Sequence, residues 1–169
     1  MNKLIFISVL LILFTLELFD PVQRYFIQPF TQHLATITAS ILHLFDKDVF
    51  SSGIILRSIS NGSAVSIQPG CNGIEAVICL VAAIVAYYAT WKEKLLGLIL
   101  GFFAIQSLNI VRIISLFYLL QWNKSWFEWA HLYAWQALIF LDVLIVFVVW
   151  IRWVSTRNSK NIEPSTAHG

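Results

Sequence analysis

The chain has 169 residues, of which 59% are hydrophobic and 12% charged, with a mean hydropathy of +0.77. So little charge excludes an ordinary water-soluble domain and marks an integral membrane protein. A net charge of +2 is too small to imply nucleic acid as a partner.

Leu4 to Phe19 is almost entirely apolar and follows Lys3. Asp20-Pro21 comes next, with no small-residue cleavage site, so the segment reads as an uncleaved signal anchor. Val22, Phe26, Phe30, Leu34, Ile37, Ile41 and Phe45 then recur at helical spacing, interleaved with Gln23, Arg24, Gln28, Gln32, His33 and Ser40. This pattern predicts an amphipathic helix lying on the bilayer surface, with an extra short span over Thr31 to Phe45 as the alternative. Ile54 to Gln68 predicts a β-hairpin. Two β-rich runs flank Asn61-Gly62, a dipeptide that tolerates positive φ in a two-residue turn. Pro69-Gly70 closes the second run, and Cys71 follows at once.

Three more spans are predicted, over Gly73 to Thr90, Leu95 to Leu120 and His131 to Ile151. The expected fold class is an all-α polytopic integral membrane protein. It has about four transmembrane helices, an interfacial amphipathic helix and a small extracytoplasmic β-hairpin. Residues 1–153 form one membrane-embedded domain, with spans near 4–19, 73–90, 95–120 and 131–151, and residues 154–169 form a disordered cytosolic tail. Lys3, Lys92, Lys94, Arg152, Arg157 and Lys160 fall on one set of span ends, which the positive-inside rule places in the cytosol.

That orientation gives a ruler. Cys71 lies 20 residues from Trp91, Arg112 lies 18 from Lys94, and His131 lies 21 from Arg152. At about 1.5 Å per residue these are rises of roughly 30, 27 and 32 Å. A hydrocarbon core about 30 Å thick puts all three at its outer edge. A thiol, a guanidinium and an imidazole at one height suggest cysteine-nucleophile chemistry. Cys71 is expected to begin a helix, where the N-terminus and the Arg112 cation would lower its pKa. Arg112 interrupts an apolar stretch, at a cost of at least about 2.5–3.5 kcal/mol unless it faces protein or water. The bland reading is an arginine snorkelling to lipid phosphate. His131 can serve as base and acid near neutral pH.

Three further residues are candidates for support. Glu75, one turn from Cys71, could pair with Arg112 or simply neutralise it. Asn109 and Gln106 precede Arg112 at three-residue intervals and form a polar stripe. Glu128, three residues before His131, could orient its ring. Cys79 is left as mid-span core, too far from Cys71 for a disulfide. Asp142 is expected about 16 Å below His131, as a buried polar contact between helices. No metal-ligand cluster and no cofactor motif is visible.

These residues resemble those of a known family. Cys71-Asn72-Gly73-Ile74-Glu75 resembles the C-[SN]-G-[IVL] signature of exosortases and archaeosortases. Asn109-Ile110-Val111-Arg112 is similar to their N-x-x-R motif, and His131 matches their third motif. The resemblance covers roughly Gly53 to Trp153. The small size is most similar to exosortase H, and Asn72 stands where many members have Ser. The resemblance implies a multi-pass inner-membrane cysteine protease or transpeptidase whose active site faces the periplasm. Cys71 would be the nucleophile, Arg112 the stabilising cation and His131 the proton shuttle, without a cofactor. The implied partners are secreted proteins with a C-terminal sorting signal: a PEP-like or IPTLxxWG-like motif, a transmembrane helix and a basic cluster. The cleaved chain would pass to an acceptor nucleophile. Two rivals remain at this point. One is a non-enzymatic membrane subunit, for transport or assembly, with a structural Arg112 and an inert Cys71. The other is a thiol-redox enzyme, which needs a second reachable cysteine or a quinone.

Overall fold

A computed structural model of the chain describes residues 2–162, with side chains described as far as Arg157. Helix α1 (Lys3–Glu17) starts at Asn2, whose side chain accepts from the Leu4 and Ile5 N–H groups. The Asn2 N–H donates to Ala86 O and ties the N-terminus to the far end of α4 (Ile74–Ala86). Pro21 sits in the first turn of the short α2 (Asp20–Val22), where its missing N–H costs nothing. A π-helical turn, Gln23–Ile27, leads into α3 (Gln28–Leu42). The segment Asp20–Leu42 bends 71° away from α1.

The face that α3 buries carries Thr31, Leu34, Ala35, Thr38, Ala39 and Leu42. The Thr31 and Thr38 hydroxyls donate to the carbonyls four residues back, which makes them tolerable inside. Phe26, Ile37 and Phe45, part of the apolar stripe read from the sequence, are instead exposed. The helix therefore packs one face on the protein and offers another to its surroundings.

The expected hairpin is a three-stranded antiparallel sheet in the order β1 (Val49–Ser52), β2 (Ile55–Ser58), β3 (Ala64–Ser66). The turn at Asn61-Gly62 falls where expected, with Gly62 at φ 71°. It is longer than two residues, because the Ser58 N–H donates to Ser63 O and leaves Ile59 to Gly62 as a four-residue loop. The Asn61 side-chain amide donates to the Gln121 side chain at 2.9 Å and fastens this loop to the end of α5 (Trp91–Trp122).

Helix α5 starts in a capping box. The Thr90 hydroxyl receives the Glu93 N–H, and the Glu93 carboxylate receives the Thr90 N–H. Asn123 then caps α6 (Lys124–Trp129). A second π-helical turn, Ala130–Ala134, joins α6 to α7 (Trp135–Ile162). Helix α7 continues to Ile162, into the stretch expected to be a tail; residues 163–169 lie outside the described part.

Among the described residues two helices, Trp91–Trp122 and Lys124–Arg157, are long and apolar enough to cross a membrane, and the bent pair Lys3–Glu17 with Asp20–Leu42 makes three if it counts as one span. Helix α4 is a shorter apolar helix of 13 residues, so about four full-length spans is more than these helices supply. Large apolar side chains such as Leu100, Phe103, Phe140 and Val149 are exposed on α5 and α7, as lipid-facing surfaces require.

Burial falls in two clusters. One joins α3, the sheet and the second half of α5 through Leu34, Leu42, Leu56, Ile67, Ile113 and Phe117. The other joins α4, α5 and α7 through Leu80, Ile84, Ile105, Trp150 and Val154. Gly97 and Gly101 let the helices close: an added Cβ would lie 2.3 Å from Trp150 Nε1 or 2.4 Å from Leu80 Cδ2. Arg112 sits between the two clusters on α5.

Candidate active site

Cys71 does not begin a helix. It lies in the turn after β3, two residues before Gly73, the left-handed residue (φ 76°) that precedes α4. The Cys71 N–H donates to Gln68 O and closes the turn. Asn72 is buried, and its side chain both accepts from the Ile74 N–H and donates to the Thr31 hydroxyl of α3 at 3.3 Å. The Gln106 amide on α5 donates to Asn72 O at 3.3 Å. The turn is thereby pinned from both sides. A side chain at Gly73 would bring its Cβ to 3.0 Å from Gln106 Nε2 and 3.3 Å from Asn109 Cγ, so α5 approaches the bare backbone there.

Arg112 is only 2% exposed, which removes the lipid-phosphate reading. Its Nη1 donates to Gly70 O at 3.2 Å and its Nη2 to Cys71 Sγ at 3.6 Å. His131, on the π-helical turn, faces the same sulfur. Cys71 Sγ lies 4.0 Å from both Nδ1 and Nε2, so a small ring rotation would bring either nitrogen closer. The three residues singled out by height therefore meet in space. They share a cavity of about 280 Å³ with the strand β3, Leu116, Leu120 and Phe127.

The supporting residues are placed less simply. Glu75 makes no ion pair with Arg112. Its carboxylate accepts the Gly70 N–H, while Arg112 holds the carbonyl of the same glycine. Glu17, buried near the end of α1, neighbours Glu75 and was missed because nothing in its local sequence sets it apart. Glu128 does not orient His131; it pairs with Lys124 at 3.9 Å on the exposed face of α6. That is the i,i+4 geometry of an exposed helix pair. The ring is positioned instead by Phe127, stacked on it at 5.6 Å and 3°. Asn109 donates to Gln106 Oε1 at 3.5 Å, while its own Oδ1 and the Arg112 Nε are buried without a protein partner. Asn109, Arg112 and Asp142 line one small cavity of about 10 Å³, where Asp142 is half-buried and makes no hydrogen bond or ion pair among the described residues, so the buried polar contact expected of it is not formed. Cys79 is half-buried and lines a separate cavity with Gly70, Glu75 and Gln136. Both cysteines are free.

The electrostatics differ from expectation. Burial pushes the Cys71 thiol above its ordinary value; Arg112 pulls it down, and Glu75 pushes it up. Desolvation outweighs the neighbouring cation, and the helix start is too far off to reverse it. Burial therefore favours the protonated thiol, with the His131 ring nitrogens 4.0 Å from its sulfur. Among the described residues, no three His, Cys, Asp or Glu side chains gather as metal ligands.

Fold and site together define a helical membrane protein with a thiol, a guanidinium and an imidazole around one cavity. The family model of the transmembrane exosortases, EpsH type, matches residues 2–149, and the chain belongs to that family. Membership carries a membrane transpeptidase-like role in sorting secreted proteins that bear C-terminal signals. No curated relative and no solved structure matches the chain.

Proposed function

We propose that this protein is a cysteine transpeptidase that cleaves the C-terminal sorting signal of secreted proteins and transfers them to an acceptor. The observation that carries the reading is the approach of Arg112 Nη2 and both His131 nitrogens to within 4.0 Å of Cys71 Sγ. In the first step His131 takes the thiol proton as sulfur attacks the scissile carbonyl. The developing oxyanion is stabilised by the guanidinium of Arg112. The C–N bond then breaks, the amine leaves with the proton carried by His131, and a thioester remains on Cys71. An acceptor nucleophile gives its proton to His131, attacks the thioester and displaces the thiolate, which His131 reprotonates. In this reading the site faces the periplasm, and α1, α4, α5 and α7 are taken as the four membrane segments, with α4 too short to be a full-length span. The signal is the motif, transmembrane helix and basic cluster that the family resemblance implies.

The test is co-expression with a tagged secreted reporter that ends in such a signal. Wild type should shorten the reporter, Cys71→Ala should leave it full length while still accumulating in the membrane, and Cys79→Ala should process it normally. Processing by Cys71→Ala would remove the mechanism.

A further inference from the structure

The strand β3 has a neighbour on one side only, since the sheet order is β1-β2-β3. Its register fixes which backbone groups are free. The Ile67 N–H donates to Ile54 O, and Ser63 O accepts the Ser58 N–H, so residues 63, 65 and 67 turn their backbone groups toward β2. Ala64 and Ser66 must then turn theirs outward, because successive residues of an antiparallel strand alternate in direction. Four polar backbone groups are presented along that edge, two N–H and two C=O. This edge does not face open surroundings: Ala64 to Gln68 form one wall of the cavity that holds Cys71, Arg112 and His131. The other wall is apolar, with Ile113, Leu116 and Leu120 of α5, and is completed by Phe127. The chain runs on through Ile67 and Gln68, which also line the cavity, and the turn closed by the Cys71 N–H to Gln68 O brings the sulfur to the same cavity.

We propose that the segment of the secreted substrate at the cleavage site binds as a fourth strand on the outer edge of β3, which delivers its scissile carbonyl to Cys71. This rests on the cleavage reading above and adds the way in which substrate is held. Strand addition draws affinity from main-chain hydrogen bonds, which any extended peptide can make. Selectivity comes from the side chains, which alternate between two faces. One face meets the Ile113, Leu116 and Leu120 wall; the other does not. The favoured substrate segment is therefore extended, with apolar side chains at every second position.

The experiment uses the full-length protein in detergent and a synthetic peptide covering the sorting motif of the reporter up to its transmembrane helix. Binding is measured on Cys71→Ala and cleavage on wild type, with a series of peptides N-methylated at one backbone position each. The expected result is a period of two. Methylation of an amide that faces β3 should lower affinity about tenfold or more, the equivalent of about 1.4 kcal/mol. Methylation at the intervening positions should leave affinity close to that of the parent peptide. Ser66→Pro, which deletes an outward N–H and spares the bonds to β2, should weaken the parent peptide comparably. If that variant is poorly folded, the peptide series alone decides. Cleavage and binding that are indifferent to the position of methylation would overturn strand addition and leave the proposed activity standing. Alternating dependence of binding without cleavage by wild type would uphold the edge and overturn the activity. Neither binding nor cleavage would overturn both.

Discussion

Replacing Arg112 by lysine separates a positioned guanidinium from a mere positive charge. Arg112 uses two nitrogens in two directions, Nη1 to Gly70 O at 3.2 Å and Nη2 to Cys71 Sγ at 3.6 Å. A lysine has one nitrogen and cannot reproduce that fixed two-nitrogen fork. If it keeps the carbonyl, the sulfur loses its cation; if it turns to the sulfur, a charged hydrogen bond of about 1.5–3 kcal/mol to the loop is lost. An oxyanion donor that is no longer aimed costs about 100- to 1000-fold in rate, or about 2.7–4 kcal/mol. Arg112→Lys should therefore process reporter at least about 100-fold more slowly, nearly as badly as Arg112→Ala. The assay is a time course of processed against unprocessed reporter on a blot, with enzyme levels matched in the membrane fraction. A rate within a few-fold of wild type would show that only charge is needed there, and Arg112 would leave the catalytic set.

Alkylation of Cys71 should accelerate with pH to beyond the ordinary thiol range, because burial raises its pKa and the reactive thiolate forms only above it. Arg112→Ala should move that profile further up and Glu75→Gln should move it down; a plateau already reached near neutral pH would contradict this. Gly73→Ala forces a side chain into a φ of 76° at a cost of about 1–2 kcal/mol, and its Cβ would press on Gln106 and Asn109. Processing should fall sharply while most of the protein still folds, as judged by its melting in detergent. Gly97→Ala should instead destabilise the helix packing by about 1–3 kcal/mol, because its Cβ would collide with the Trp150 ring that donates to Glu93 O at 3.1 Å. Melting in detergent should register the loss. A reporter fused at Ser159 should read as cytosolic, in keeping with the charge bias of Lys92, Lys94 and Arg152; a periplasmic reading would invert the proposed orientation.

The meeting of Cys71, Arg112 and His131 was legible because a bilayer acts as a ruler. Residue counts from charged boundaries give heights, and three chargeable residues at one height are few enough to notice. Lateral contacts carry no such ruler. Nothing periodic links Asn72 to Thr31, 41 residues apart, or Glu17 to Glu75. The i,i+3 inference for Glu128 failed for a local reason. The wider turn that begins at Ala130 alters the helical phase before His131, and Lys124 is available at i,i+4. Strand β1 was missed because Val49-Phe50-Ser51-Ser52 has too short a β-rich run to stand apart from the loop before it. The helix start was placed too early at Cys71, since apolar content alone does not reveal that Gly73 takes a left-handed conformation.

Gly70 separates two opposite charges that could have met. Had Glu75 reached Arg112, a two-pronged ion pair would have occupied both terminal nitrogens of the guanidinium. The glycine backbone stands between them instead, its N–H facing the acid and its C=O facing the base. Only one prong of the cation is spent on structure, and the other is directed at sulfur. The loop thus acts as a spacer that rations the arginine between holding and reacting. A direct pair between Glu75 and Arg112 would spend both terminal nitrogens on structure and leave the thiol without its cation.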